Sequence, residues 1–215
     1  MKKRILCFGD SLTWGADPSD IARFDEEDRW PMVLQNELGD EYQIIEEGQC
    51  GRTIATDDPA EGEKNGIKYI LPCMESHDPF DLIIIMLGVN DCKRKFAYSS
   101  MDIAGEMQLF LEKVQSFNRF RCKDRFKIML MSPPAVSEAI RESWLGDSYG
   151  YENSIKVSSE LPEWYKKLAD MYGCSFLDAG EYAKTSDKDG IHLDPEDQHK
   201  LGKAVAEHIK NVICL

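Results

Sequence analysis

Asp81-Leu82-Ile83-Ile84-Ile85-Met86-Leu87 is apolar at every position after the aspartate, and Gly88-Val89-Asn90-Asp91 follows it directly. A run this short, β-branched and free of polar residues reads as a strand with no face left for solvent. Such strands sit in the middle of parallel sheets covered by helices on both sides. Outward from this run the same grammar repeats. Arg4–Phe8 and Tyr42–Ile45 read as strands before it, and Lys127–Met131 (closed by Pro133-Pro134) and Cys174–Leu177 as strands after it. Between them lie amphipathic stretches. One helix opens at Arg29-Trp30-Pro31 and stops at Gly39. Another is capped by Ser100 and carries Ile103, Met107, Phe110, Leu111, Val114 and Phe117 on an apolar side. A third ends near Tyr172-Gly173, and Asp194-Pro195-Glu196-Asp197 starts the last. The alternation predicts an α/β fold with three layers, α/β/α, around a five-stranded parallel sheet. No repeat or flexible linker divides the chain, so one domain is expected over residues 1–215. Ala135 to Val157 fits no element well and is long for a connection. It holds Trp144, Leu145, Tyr149 and Tyr151 and is expected to be a lid, a pocket wall or a subunit contact.

The 215 residues carry 39 acidic and 26 basic side chains, a net charge of −13. That balance argues against nucleic acid and anionic membranes as partners. The apolar start Ile5–Phe8 is cut off by Gly9-Asp10, well short of a secretory leader, and no stretch reaches the length of a membrane span. Seven scattered cysteines with no C-x-x-C pair read as free thiols, and a cytoplasmic location is expected. No His/Asp/Glu cluster shows ligand spacing, so neither a metal nor another cofactor is expected.

Ligands of open α/β sheets bind beyond the carboxyl ends of the strands, so polar residues just after strands carry the most weight. Four such places stand out. Gly9-Asp10-Ser11-Leu12 would expose the Ser11 hydroxyl at the mouth of the sheet. Glu46-Glu47-Gly48-Gln49-Cys50-Gly51 has two glycines three apart, suited to a close backbone approach. Gly88-Val89-Asn90-Asp91 offers a side-chain NH2 to a developing oxyanion. In Asp189-Gly190-Ile191-His192 a carboxylate three residues before a histidine can hold its Nδ1–H and leave Nε2 to accept a serine proton. Each piece alone also reads as a turn or cap. Together they supply a nucleophile, a base, an orienting acid and oxyanion donors on one rim.

These four blocks, in this order and spacing, resemble the SGNH (GDSL-type) hydrolases over essentially the whole chain. Finer features are similar to an oligomeric bacterial arylesterase/acyltransferase branch: Cys7 through Gly15, Glu46-Glu47-Gly48 through Arg52-Thr53 with Asp57-Asp58-Pro59, and Ile84 through Asp91. Glu46 stands where the wider family has an asparagine. The resemblance implies a flavodoxin-like fold and a serine esterase acting on small, short-acyl esters. Ser11, His192 and Asp189 would be catalytic, and the Ser11 and Gly51 backbone N–H groups with the Asn90 side chain would form the oxyanion hole. It also implies a homo-oligomer. Asp10, Leu12, Trp14, Lys93 and Phe96 are candidates for the pocket, Asp10 mainly to fix the loop. Acyl transfer or perhydrolysis would use the same residues. A non-catalytic flavodoxin-like module, binding an anion at Ser11–Gly15, is the alternative of another class. It leaves Asn90, Asp189 and His192 unexplained.

Overall fold

A computed structural model describes residues 2–215. The apolar run at 82–87 forms β3 (Leu82–Met86), buried at all five positions. It is the middle strand of a five-stranded, wholly parallel sheet, with β1 (Lys3–Gly9) and β2 (Tyr42–Gly48) on one side and β4 (Lys127–Ser132) and β5 (Ser175–Asp178) on the other. The order is β2-β1-β3-β4-β5. Cys7 lies opposite both Glu46 and Ile84, and Ile84 opposite Met129, so four neighbouring strands run in register. The chain winds outward from β1 to β2 and then in the other direction from β3. That reversal opens a crevice at the carboxyl ends of β1 and β3.

Helices α1 (Ser11–Trp14), α2 (Trp30–Leu38), α3 (Gly66–His77), α4 (Ser100–Phe117), α5 (Gly146–Tyr149), α6 (Tyr151–Tyr172) and α7 (Pro195–His208) complete the framework. α2 packs against α7, where Gln198 accepts a hydrogen bond from the Trp30 N–H at 2.9 Å. α4 packs against α6 and α3. Pro31 lies in the first turn of α2, where its missing N–H costs nothing.

Several boundaries differ from the sequence expectation, each for a physical reason. β2 runs three residues further, through Glu46-Glu47-Gly48, because an edge strand tolerates polar residues that still pair with β1. The cap of α4 is Ser99, not Ser100. Ser99 and Asp102 exchange hydrogen bonds in a capping box, while the Ser100 hydroxyl donates to Glu160 at 2.6 Å. α3 was not anticipated, because Gly66 opens it and Pro72 lies inside it. Residues 135–157 are not one loop. They contain a one-turn helix at Glu138–Arg141, then α5, then the first turns of α6. Pieces this short show no periodicity in sequence.

Candidate active site

β1 ends at Gly9, and Asp10 caps α1 by accepting the Leu12 N–H at 3.0 Å. Ser11 is the first residue of that helix, so its own N–H has no partner within the helix. The end of β2 supports this turn from beneath. A Cβ on Gly48 would stand 2.2 Å from the Trp14 backbone nitrogen, so only glycine permits the approach. The Arg52 guanidinium donates to the carbonyls of Gly9 (2.7 Å) and Glu47, tying the ends of β1 and β2 together.

The loop between β5 and α7 brings Asp189 and His192 against Ser11. Ser186 N–H donates to the His192 carbonyl at 2.7 Å and Gly190 N–H to the Ser186 carbonyl at 2.9 Å, closing the loop on itself. Asp189 Oδ1 accepts the backbone N–H groups of Ile191 and His192, each at 2.9 Å. Its Oδ2 lies 2.5 Å from His192 Nδ1, and His192 Nε2 lies 2.9 Å from Ser11 Oγ. A carboxylate accepts, so Nδ1 carries the proton and Nε2 accepts from the serine hydroxyl. All three side chains are buried.

Asn90 follows β3 in a one-turn helix (Asn90–Cys92). Its Oδ1 accepts from the Tyr149 hydroxyl at 3.1 Å, while its buried Nδ2 has no hydrogen-bond partner among the described residues. The next residue, Asp91, accepts the Ile54 N–H at 3.0 Å and so links the loops after β3 and β2. This holds Gly51, at a φ of +80°, against the same cavity. That cavity, about 300 Å³, is lined by Ser11, Gly51, Asn90, Lys93 and His192. A larger cleft, about 720 Å³, lies at the amino ends of β4 and β5 among Asn118, Lys127 and Cys174, far from this constellation.

Asp10 is fully buried, and burial pushes its carboxyl up to about 6 against the Leu12 N–H and the nearby His192 and Arg52, which lower it. Its Oδ2 makes no hydrogen bond, although the Asn90 amide is close enough to favour the charged form. Burial, reinforced by Glu106, also raises the Asp91 carboxyl well above its ordinary range.

Four of the five pocket candidates are not in the cavity wall. Leu12 is in the core, Asp10 lies beneath the turn, Trp14 faces the Arg23 guanidinium at 5.4 Å, and Phe96 stacks on Tyr98 at 5.8 Å. Lys93 does line the cavity, held by Asp58 (3.2 Å) and Glu61 (2.9 Å). The remaining wall comes from Ile21, Cys50, Glu61, Lys64 and the stretch Trp144-Leu145, Ser148 and Tyr149. Only the aromatic content of 144–151 hinted at that stretch; Ile21, Glu61 and Lys64 have no signal in sequence. Glu46, the departure from the wider family, takes a two-point contact from Arg29, with both N···O distances 2.8 Å.

The histidines outside the site pair with residues distant in sequence: His77 with Glu47 (2.7 Å), His199 with Asp28 (3.0 Å) and His208 with Ser175 (2.6 Å). Glu47, Cys73 and His77 also converge within 4.8 Å, a grouping hidden in sequence because α3 was. There the Arg52 cation already faces Glu47, and burial pushes the Cys73 thiol up to about 12.

Residues 7–199 match the family of GDSL-like lipases and acylhydrolases. The chain belongs to this family. Three solved structures match it along nearly their whole length. A carbohydrate acetylesterase from Sinorhizobium meliloti is 37% identical, over 97% of this chain and 99% of that one, with a TM-score of 0.90. The aryl esterase of M. smegmatis is 37% identical, over 98% and 99%, with a TM-score of 0.90. Another carbohydrate acetylesterase family member from S. meliloti is 33% identical, over 99% and 100%, with a TM-score of 0.88. No curated protein matches. As a GDSL-family acylhydrolase the protein is a carboxylic ester hydrolase, and the non-catalytic module is excluded. Among the described residues, no helix is long and apolar enough to cross a membrane.

Proposed function

We propose that this esterase hydrolyses small, short-acyl esters in a single domain, through an acyl-enzyme on Ser11. The supporting observation is the unbroken chain Asp189–His192–Ser11, which ends at a cavity of about 300 Å³. In this reading His192 Nε2 takes the hydroxyl proton as Ser11 Oγ bonds to the ester carbonyl carbon. The carbonyl electron pair moves onto oxygen, and the N–H groups of Ser11 and Gly51 with Asn90 Nδ2 receive that oxyanion. Asp189 keeps the imidazolium oriented. Collapse breaks the bond to the leaving oxygen, which takes the proton from His192 and departs as alcohol. Water then repeats the sequence on the acyl-enzyme and frees the acid.

The cavity volume sits at the lower end of ligand sites, about 300–1,000 Å³, which favours an acyl group such as acetyl. The aryl esterase and carbohydrate acetylesterase relatives point to aryl acetates and acetylated sugars as substrates to try. Trp144, 68% exposed at the cavity, offers the alcohol portion an apolar face. The same face would serve an acceptor alcohol, which makes acyl transfer the second reading. No disulfide joins the seven cysteines, consistent with a cytoplasmic protein. We also infer that the chain self-associates, which sedimentation would read as a mass above the 24.5 kDa of one chain.

Ser11→Ala should abolish turnover of p-nitrophenyl acetate while leaving the fold intact. Retained activity would remove Ser11 from the mechanism. A series of p-nitrophenyl esters should show activity dropping beyond short acyl chains; a preference for long chains would refute the short-acyl assignment. Added alcohol will divide products between acid and new ester if acyl transfer competes.

A further inference from the structure

An asparagine amide is nearly symmetric in shape, yet its two ends are opposite in hydrogen-bonding character. Whether Asn90 shows the cavity a donor or an acceptor therefore depends on what its neighbours select. One neighbour makes that selection. The Tyr149 hydroxyl lies 3.1 Å from Oδ1, with Tyr149 4% exposed and Asn90 3% exposed, so water does not compete for that bond. With Oδ1 occupied, Nδ2 is left buried and without a partner in the wall of the cavity. Buried donors are nearly always satisfied, so an orphan here marks a site waiting for an acceptor.

We propose that Tyr149 is a positioning residue that locks the Asn90 amide with its NH2 turned to the oxyanion. The inference rests on the triad reading above and deepens it. Tyr149 lies on α5, within residues 135–157, and α5 also brings Ser148 to the cavity wall, beside Leu145. One short helix thus shapes the acyl pocket and aligns the donor that receives the developing charge. A phenylalanine here would fill the same space and leave the amide free to rotate.

The test is a double-mutant cycle on p-nitrophenyl acetate with Tyr149→Phe, Asn90→Ala and the pair. Tyr149→Phe should lower kcat about ten- to hundredfold with KM within about twofold, because the amide aligns chiefly on the transition state. Affinity for an alkylboronic acid, whose tetrahedral adduct places an oxygen in the oxyanion hole, should fall by a similar factor. In the Asn90→Ala background the same substitution should change nothing further, since its target is gone. Undiminished kcat in Tyr149→Phe overturns the inference, and so does an equal loss with and without Asn90. A Tyr149→Phe protein that unfolds, rather than turning over slowly while folded, marks a structural residue and also overturns it. Failure of the triad reading looks different: Ser11→Ala and Asn90→Ala would then keep their activity.

Discussion

Among the described residues the Asn90 side chain is hydrogen-bonded through its oxygen and not through its nitrogen, and the expected consequence of losing that nitrogen is large. Asn90→Ala should lower kcat by about 10²–10³, as removal of an oxyanion donor does elsewhere. Steady-state kinetics on p-nitrophenyl acetate would check this, and a loss below about tenfold would remove Asn90 from the hole. Ser11, Asn90, Asp189 and His192 were legible in sequence because each follows a strand, and a parallel sheet brings strand ends together whatever the intervening helices do. Leu12, Trp14 and Phe96 were misplaced because the face a side chain takes within a one-turn helix depends on its neighbours in space. Leu12 turns into the core, and Trp14 meets Arg23 instead. In sequence Tyr149 stands only as one aromatic of the segment 135–157, which shows no helical or strand period. Its contact with Asn90 spans 59 positions, and no local pattern encodes that.

Two elements that carry no chemistry hold the rim in place. Glu46, at the polar end of β2, grips Arg29 at the entrance to α2 in a largely buried two-point contact. Glu46→Gln should leave the guanidinium without its charge partner and cost about 2–4 kcal/mol, measured by urea denaturation. Gly48 meets the backbone of α1. Gly48→Ala should push α1 outward and cut kcat more than tenfold even in protein that remains folded, because misplacing a nucleophile by about 1 Å costs on the order of 10². Circular dichroism beside kinetics would separate the two effects, and full activity would show that the turn can give way. Long, periodic elements such as α4 and the strands were readable in advance. Their burial pattern repeats often enough to exceed chance, whereas α3 and α5 have a proline inside or too few residues for any period to appear.

Across the whole molecule, buried acids link stability to pH. The Asp10 carboxyl is raised to about 6 in the folded protein, so the folded state holds its proton more tightly than the unfolded chain, whose aspartates titrate near 3.9. This contribution is fully present below about pH 4 and is lost as pH rises through about 6. It amounts to about 3 kcal/mol, and the raised Asp91 acts in the same direction. Acids held low by lysines, such as the buried Asp58 and the half-buried Glu61, work oppositely, so Asp10→Asn isolates the contribution of Asp10. Relative to wild type, that variant should gain stability between pH 4 and 7 in denaturant melts; a pH-independent difference would show that Asp10 does not titrate there. Sequence alone determined the sheet, its direction and the order of the four polar blocks that follow strands, because hydrophobic periodicity and strand-end placement are local properties repeated along the chain. Tertiary structure decided the cavity wall, the state of Asp10 and the orientation of Asn90. Those depend on which distant side chains exclude water from the same small volume, and only the packed chain brings them together.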